Sequence, residues 1–317
     1  MTSAEHESST TAPPHVLARL HDLLDDLPAL SGTPRTVEAL DGGLTNFNFK
    51  VSTPERTAVV RLSSSDSDEL AIDRDAEHVN SVRAAESGAA PAVLDYRPEH
   101  RALVVAWVNG TTLTSQDLHD ERNVVRAATV CRQLHSGPRF VSDFDMFDVQ
   151  PRYLAIVKDR GYRLPSRYLD LQPEVDRIAD ALAVRSEATV PCNNDLLAAN
   201  FIDDGNRLWV IDYEYAGNND PCFELGNIWS ESDLPIDHLE LLVDSYYGQH
   251  LRHKVARARL LGLMAKYGWT LWASIQSVVS PIEFDFWSWG MEKYERALEE
   301  FDAAGFTILL DEARRPD

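Results

Sequence analysis

One stretch of the sequence, residues 190–215, constrains the fold more than any other. Asp195 is followed five residues later by Asn200, and two short apolar segments then flank a polar turn at residues 203–206. The second apolar segment ends at Asp212. This order predicts a β-hairpin that delivers three oxygen-bearing side chains to one edge.

These three side chains are the groups that phosphoryl transfer from ATP requires. A carboxylate accepts the proton of the attacking hydroxyl, and an amide oxygen with a second carboxylate holds Mg²⁺ on the phosphates. We predict Asp195 as the base, and Asn200 and Asp212 as the metal ligands. The alternative is that these residues only cap a turn and end a strand, as Asp and Asn often do.

A weaker pattern lies nearer the N-terminus, where residues 41–46 join two strand-like segments. Gly42 and Gly43 would let the backbone approach a phosphate closely, and Thr45 and Asn46 would add hydrogen-bond donors. Taken alone, the two glycines are more simply an ordinary hairpin turn. The sequence contains neither a Walker A motif nor a Gly-x-Gly-x-x-Gly fingerprint, which excludes those nucleotide-binding folds.

Several ordered motifs between about residues 40 and 296 resemble the choline/ethanolamine kinase family, a branch of the kinases that are similar to aminoglycoside phosphotransferases. The motifs are Gly-Gly-Leu-Thr-Asn at 42–46, Asn-Asp-Leu-Leu-Ala-Ala-Asn at 194–200, Trp-Val-Ile-Asp-Tyr-Glu-Tyr at 209–215 and Trp-x-Leu-Trp-x-x-x-Gln at 269–276. The resemblance implies an α+β, bilobal protein-kinase-like fold. Its smaller lobe would hold an antiparallel β-sheet and one key helix, and its larger lobe would be mainly helical.

The resemblance also divides the chain. We expect a disordered tail at residues 1–14, which are rich in Ser, Thr and Pro. A nucleotide-binding lobe would follow at residues 15–108, and a catalytic and substrate-binding lobe at residues 109–317. The family's MgATP site then implies a nucleotide-binding role for Arg61, at the end of a strand, and for Glu77, in the helix predicted at residues 70–87. Without the resemblance, both residues could belong to surface ion pairs of little consequence.

Tryptophans near the C-terminus indicate how a substrate could be bound. Trp269 and Trp272 share one face of a predicted helix, which by default indicates a buried core. A quaternary ammonium cannot donate a hydrogen bond and is bound by aromatic faces with a carboxylate nearby. The resemblance places Trp269, Trp272 and Trp289 on the family's aromatic cage, with Tyr215 as a fourth wall and Glu231 as the carboxylate.

One position departs from the family pattern. The family usually has His two residues before the catalytic Asp, and this sequence has Asn193. Asn can still donate a hydrogen bond to a backbone carbonyl, but it does not titrate near neutral pH. Activity is expected to survive if this residue only shapes the loop, and to be weakened if it tunes the base.

Composition limits the possible partners. The net charge of −21 argues against nucleic acid and anionic membranes. The longest apolar runs are too short to span a bilayer, and the N-terminus lacks the order of a signal peptide. Three widely spaced cysteines indicate neither disulfides nor zinc. We therefore expect a cytoplasmic protein, as a monomer or homodimer.

Together these patterns predict a kinase that uses ATP and Mg²⁺ to phosphorylate the hydroxyl of choline or a related small cationic amino alcohol. The alternatives are a kinase of another hydroxylated amine, such as ethanolamine, thiamine or an aminoglycoside, and a catalytically silent nucleotide-binding protein.

Overall fold

The computed structural model describes residues 12–27, 30, 34–40, 43–63 and 72–315. The predicted disordered tail, apart from residues 12–14, lies outside the described residues, and so does Gly42. The described residues form two compact units, one within Met1–Ser67 and Ala92–Trp107 and the other within Asp68–Pro91 and Val108–Asp317. In the described part of the chain, no helix is both long and apolar enough to cross a membrane.

The first unit is built on a five-stranded antiparallel sheet with the strand order β1-β2-β3-β5-β4. Its strands are β1 (Thr36–Leu40), β2 (Asn46–Ser52), β3 (Thr57–Ser63), β4 (Val93–Arg97) and β5 (Ala102–Ala106). One helix, α1 (Pro14–Asp25), precedes them. The apolar face of α1 is buried, because its leucines recur at helical spacing and share one core with apolar residues of the sheet.

The second unit is mainly helical. Its helices are α2 (Arg74–Ser87), α3 (Glu121–His135), α4 (Met146–Arg160), α5 (Gln172–Ala183), α6 (Pro221–Glu231), α7 (Ile236–Tyr247), α8 (Arg252–Val279), α9 (Phe286–Phe301) and α10 (Phe306–Arg314). The 28-residue α8 is buried over most of its length and packs against α4, α6 and α9. A helix that is buried on nearly every side forms the centre of its unit.

Short strands between these helices position the polar residues of the motif at 190–215. Strand β7 (Val190–Cys192) pairs with β10 (Gly217–Asn219). Strand β8 (Phe201–Asp203) pairs with β6 (Thr111–Thr112) on one side and with β9 (Leu208–Val210) on the other. The predicted hairpin is therefore present as β8 and β9.

Capping side chains explain where three helices begin. Asp73 accepts hydrogen bonds from two backbone N–H groups at the start of α2, so the helix begins at Arg74. Asp120 accepts the backbone N–H of Arg122, so α3 begins at Glu121, just after a 3₁₀ turn that Thr114 and Asp117 close with a capping box. Asp145 accepts the backbone N–H of Phe147, so α4 begins at Met146. Helix α2, expected in the smaller lobe, belongs to the second compact unit.

Helices α6 and α8 approach each other at two glycines. A Cβ added at Gly262 would lie 2.6 Å from the backbone oxygen of Gly226, and a Cβ at Gly226 would meet the backbone of Ala258 and Gly262. Backbone atoms cannot move aside as a flexible side chain can. The close packing of α6, which begins just after the predicted metal-binding segment, therefore requires glycine at both positions.

We expect Gly262→Ala to lower the free energy of unfolding by about 1–3 kcal/mol, the usual cost of overpacking a core. Urea denaturation of the unmodified protein and of Gly262→Ala measures the difference in the free energy of unfolding. Gly305→Ala is the matched control, because a Cβ there meets nothing within 4 Å, and it should change stability by less than about 0.5 kcal/mol. Equal stability of the two variants would contradict the close approach.

Candidate active site

The loop that carries Asp195 is held in place by one buried carboxylate. Glu224, in the first turn of α6, is fully buried. Its Oε1 accepts the backbone N–H of Asn193 at 2.9 Å, and its Oε2 accepts the backbone N–H of Asn194 at 2.8 Å. Asn194 has a φ of 69°, a conformation that costs energy for residues other than glycine. The two hydrogen bonds to Glu224 help to stabilise this turn.

Asn193 joins this loop to the segment that carries Asp212. Its Nδ2 donates to the backbone oxygens of Ile211 at 3.2 Å and of Asp212 at 2.7 Å. Its Oδ1 accepts the backbone N–H of Asp195 at 3.1 Å. A side chain that donates to one segment and accepts from the other fixes the spacing of both. Asn193 therefore shapes the loop through hydrogen bonds to backbone groups, without needing to titrate.

Asn200 is oriented by the same loop. The residue is buried at the end of a 3₁₀ turn, and its Nδ2 donates to the backbone oxygen of Asp195 at 2.7 Å. This bond uses the amide nitrogen, so the amide oxygen is the atom that could bind a metal ion. Asp212 follows β9 with a φ of 65°, which turns the chain sharply after the hairpin. The structure thus brings Asp195, Asn200 and Asp212 into one connected network.

Negative charge is concentrated around Asp195. Burial raises the pKa of Asp195 well above its usual value, and the carboxylates of Glu231, Asp212 and Glu214 raise it further, whereas Lys293 opposes them. Like charges held this close favour any bound cation. The arrangement is suited to a metal ion, an ammonium group or both.

A half-buried arginine forms ion pairs with two of the neighbouring acids. Arg74 Nη1 lies 2.7 Å from Glu77 Oε2 and 3.1 Å from Glu214 Oε2. The side chains of both glutamates are at most 5% exposed. The predicted Glu77 is thereby connected to the segment that follows Asp212. Arg74 and Glu214 are not among the residues predicted from the sequence, although Arg74 lies one helical turn before Glu77.

The four predicted aromatic residues form one cluster. Tyr215 packs edge-on against Trp269, with ring centroids 5.0 Å apart, and its hydroxyl accepts a hydrogen bond from Trp272 Nε1 at 2.6 Å. The ring centroids of Trp272 and Trp289 are 5.6 Å apart. Trp269, Trp272 and Tyr215 are buried, and Trp289 is half-buried. These rings provide the aromatic surface that binding of an organic cation requires.

Glu231, the predicted carboxylate of this cage, already has a cationic partner. Lys293 Nζ forms an ion pair with Glu231 Oε2, and their side chains are only 4% and 2% exposed. The same Nζ lies 4.0 Å from the ring centroid of Trp289. Lys293 is not among the residues predicted from the sequence, although its spacing of four residues from Trp289 on α9 places the two on one helical face.

The family is shown by direct comparison. Residues 37–241, well over half of the chain, match the choline/ethanolamine kinase family. The chain belongs to the choline/ethanolamine kinase family. It is 25% identical to protein LicA of Haemophilus influenzae over 252 residues, which cover 74% of this chain and 72% of LicA. It is 23% identical to a probable ethanolamine kinase of Arabidopsis thaliana over 315 residues, which cover 89% of this chain and 83% of that protein.

Solved structures agree with this assignment. A choline/ethanolamine kinase family protein of Mesorhizobium loti is similar with a TM-score of 0.83 and 28% identity, over 94% of this chain and 99% of that one. An aminoglycoside 2′-phosphotransferase in complex with GDP shares the fold, with a TM-score of 0.63 and 15% identity, over 89% and 97% of the two chains. The predicted family and the predicted α+β kinase-like fold are therefore confirmed, and the chain is a small-molecule kinase.

The predicted phosphate loop of this kinase lies in the first unit. Asn46 Nδ2 donates to Thr45 Oγ1 at 2.9 Å, and a Cβ at Gly43 would lie only 2.5 Å from the backbone oxygen of Asn46. The turn therefore needs glycine at position 43. Arg61 is buried in β3, opposite Asn48 of β2. The nucleotide-binding roles of these residues stay predictions.

His135 and Cys192 pack beside Glu224, the residue that holds the loop carrying Asp195. His135 Nδ1 lies 2.8 Å from the Tyr246 hydroxyl, and its Nε2 lies 3.5 Å from Glu224 Oε1 and 3.6 Å from Cys192 Sγ. Burial raises the pKa of the Cys192 thiol well above its usual value. Cys192 is thus not an activated nucleophile. The contacts of His135 with Tyr246, Glu224 and Cys192 fit a structural role for this residue.

We expect Asn193→Ala to lower kcat by about 10- to 100-fold, because without these buried hydrogen bonds the distance between Asp195 and Asp212 is no longer fixed. Initial rates of ADP release, measured with the amine that this kinase phosphorylates best, give the change. Asn206→Ala, at an exposed turn position, is the control and should leave kcat unchanged. Full activity of Asn193→Ala would show that turnover does not need the hydrogen bonds between Asn193 and the backbones of Asp195 and Asp212.

Proposed function

We propose that the chain transfers the γ-phosphoryl group of MgATP to the hydroxyl of choline or a related small amino alcohol. Asp195 acts as the base. It accepts the hydroxyl proton as the oxygen attacks phosphorus, and ADP leaves with the electrons of the broken bond. The carboxylates that raise the pKa of Asp195 also make it a better proton acceptor once it is ionised.

The hydrogen-bonded network that connects Asp195, Asn200 and Asp212 carries this proposal. Asn200 binds the backbone of Asp195, and Asn193 binds the backbones of both Asp195 and Asp212. Residues that merely cap separate turns would not be connected by hydrogen bonds in this way. The network supports the proposal that Asp195, Asn200 and Asp212 act together in catalysis.

The oxygen donors around this network fit a magnesium ion. Mg²⁺ prefers carboxylate and amide oxygens and is bound by few protein ligands together with substrate phosphates. Asn200 Oδ1 and the Asp212 carboxylate are such a set, and Asp195 and Glu214 add negative charge nearby. When bound, the ion would neutralise the charge of the phosphates. Gly42, Gly43, Thr45, Asn46, Arg61 and Glu77 are proposed to bind the nucleotide.

The aromatic cluster is proposed to bind the substrate. Tyr215, Trp269, Trp272 and Trp289 offer π faces, and Glu231 offers a carboxylate close enough to affect the pKa of Asp195. A small amino alcohol could place its amine at Glu231 and its hydroxyl at Asp195. The cluster thus supports a substrate with only a short spacer between the two groups.

The first experiment is a coupled ADP-release assay with MgATP and a panel of choline, ethanolamine, thiamine and an aminoglycoside. Turnover of an amino alcohol that stops on chelation of divalent metal and returns with added Mg²⁺ supports the proposal. Nucleotide binding without turnover of any amine would favour a catalytically silent protein. Asn193 does not favour that outcome, since its hydrogen bonds hold the loop in place.

We expect Asp195→Asn to reduce kcat by about 10²- to 10⁴-fold, the usual contribution of a positioned base. Binding of ATP, measured by calorimetry, should change little, because the amide preserves the shape of the side chain. Asp159→Asn, an exposed carboxylate on α4, is the control and should behave as the parent protein. Normal turnover by Asp195→Asn would remove Asp195 from the mechanism.

An acidic cavity favours a second candidate substrate class. A cavity of about 340 Å³ lies beside Tyr215 and Glu214. Four aspartates line it: Asp73, Asp143, Asp145 and Asp148. Aminoglycosides carry several ammonium groups and are bound by acidic surfaces rather than aromatic ones. The cavity could hold the additional charges of such a substrate.

Two variants separate the candidates. We expect Trp269→Leu to lower kcat/KM for choline or ethanolamine by about 2- to 30-fold, the value of one cation–π contact. Asp148→Asn, in the acidic cavity, should leave that value unchanged for the small amines. The opposite pattern, together with turnover of an aminoglycoside on the same panel, would favour the polycationic substrate.

A further inference from the structure

The predicted cage contains a cation that belongs to the protein itself. Lys293 Nζ donates to Glu231 Oε2 and lies 4.0 Å from the ring centroid of Trp289. A carboxylate and an indole face are the two groups that a bound organic cation would use. One oxygen of Glu231 and one face of Trp289 are thus occupied before any substrate arrives.

The second oxygen of Glu231 remains available. Among the described residues, Oε1 is buried and has no hydrogen-bond partner. A buried carboxylate oxygen without a donor is unfavourable, because it has lost its hydrogen bonds to water and forms none with the protein. A ligand that brings an N–H group to this atom would remove the penalty, whereas a ligand without an N–H group would keep it.

We propose that the Glu231–Lys293 pair makes the site selective for amino alcohols whose ammonium carries at least one N–H, with Glu231 Oε1 as the acceptor, over quaternary ammonium alcohols. This inference rests on the proposed function and narrows its substrate class. Lys293 is a specificity-determining residue in this arrangement.

Physical chemistry gives the direction of the preference. A quaternary ammonium is held by π faces and by unscreened negative charge, and Lys293 reduces both at Trp289 and Glu231. A primary, secondary or tertiary ammonium gains a charge-assisted hydrogen bond at Oε1 that a quaternary one cannot form. Trp269 and Trp272 remain to contact the carbon atoms of either kind of substrate.

The test is a series of substrates that differ by single methyl groups: ethanolamine, N-methylethanolamine, N,N-dimethylethanolamine and choline. kcat/KM is measured for each with MgATP and the unmodified protein. The first three keep an N–H when protonated, so the fall should be concentrated at the last methyl. We expect about tenfold or more at that step, the value of one hydrogen bond to a charged group.

Two outcomes of this series would overturn the inference. An even decline with each methyl would indicate a steric limit instead of a hydrogen bond. A kcat/KM for choline equal to or above that of dimethylethanolamine would show that the N–H is not needed. If none of the four is phosphorylated, the proposed function fails and the inference with it. Turnover that favours choline overturns the inference alone.

Lys293→Met tests the residue directly. It removes the ammonium but keeps an unbranched chain, so no protein cation offsets the Glu231 carboxylate or covers the ring of Trp289. The ratio of kcat/KM for choline to that for ethanolamine should rise by about tenfold or more. An unchanged ratio in the folded variant would overturn the role of Lys293.

A matched control is available on α8. Lys266 Nζ lies 2.6 Å from Glu300 Oε1 and 4.4 Å from the ring centroid of Trp229, and its side chain is 7% exposed. Lys266→Met therefore removes a similar buried ion pair and cation–π contact away from Glu231, and it should leave the substrate ratio unchanged. Thermal unfolding of both variants shows whether they fold. If Lys293→Met does not fold, the methyl series with the unmodified protein decides the question.

Discussion

The candidate active site depends on the two hydrogen bonds that the buried carboxylate of Glu224 accepts from the loop before Asp195. Because the carboxylate is fully removed from water, its oxygens need donors, and the backbone N–H groups of Asn193 and Asn194 supply them. The loop is thereby fixed to the start of α6. Asn193 can then reach the backbone of Asp212, and Asn200 can reach that of Asp195. One carboxylate thus stabilises a chain of contacts that ends at the candidate base and metal ligands.

A second constraint is the like charge gathered around this network. Burial and the carboxylates of Glu231, Asp212 and Glu214 raise the pKa of Asp195, and repulsion between like charges disfavours the folded state unless cations are near. Cationic side chains of the protein offset part of this negative charge: Arg74 pairs with Glu214 and Glu77, and Lys293 pairs with Glu231. The negative charge around Asp195 would also favour the metal ion and the substrate amine that we propose for this site. Repulsion that disfavours the unliganded protein therefore favours binding of these proposed ligands.

The Asn193 departure shows how a family position can change while its geometry is kept. Asn193 donates to two backbone carbonyls and accepts one N–H. None of these bonds needs a titratable group, because both carbonyls are neutral acceptors. Membership of the choline/ethanolamine kinase family is thus compatible with Asn at this position.

The sequence by itself determined the local arrangement. Asp195 and Asn200 precede the β8–β9 hairpin and Asp212 follows it, and the periodicity of Trp269 and Trp272 places them on one face of α8, so short-range rules were sufficient. The ordered motifs also determined the kinase-like fold. Only the tertiary structure decided that Arg74 meets Glu214, 140 residues away, and that Lys293 meets Glu231, 62 residues away. Such pairs depend on how helices are rotated and packed against one another, and no local spacing in the sequence encodes that rotation.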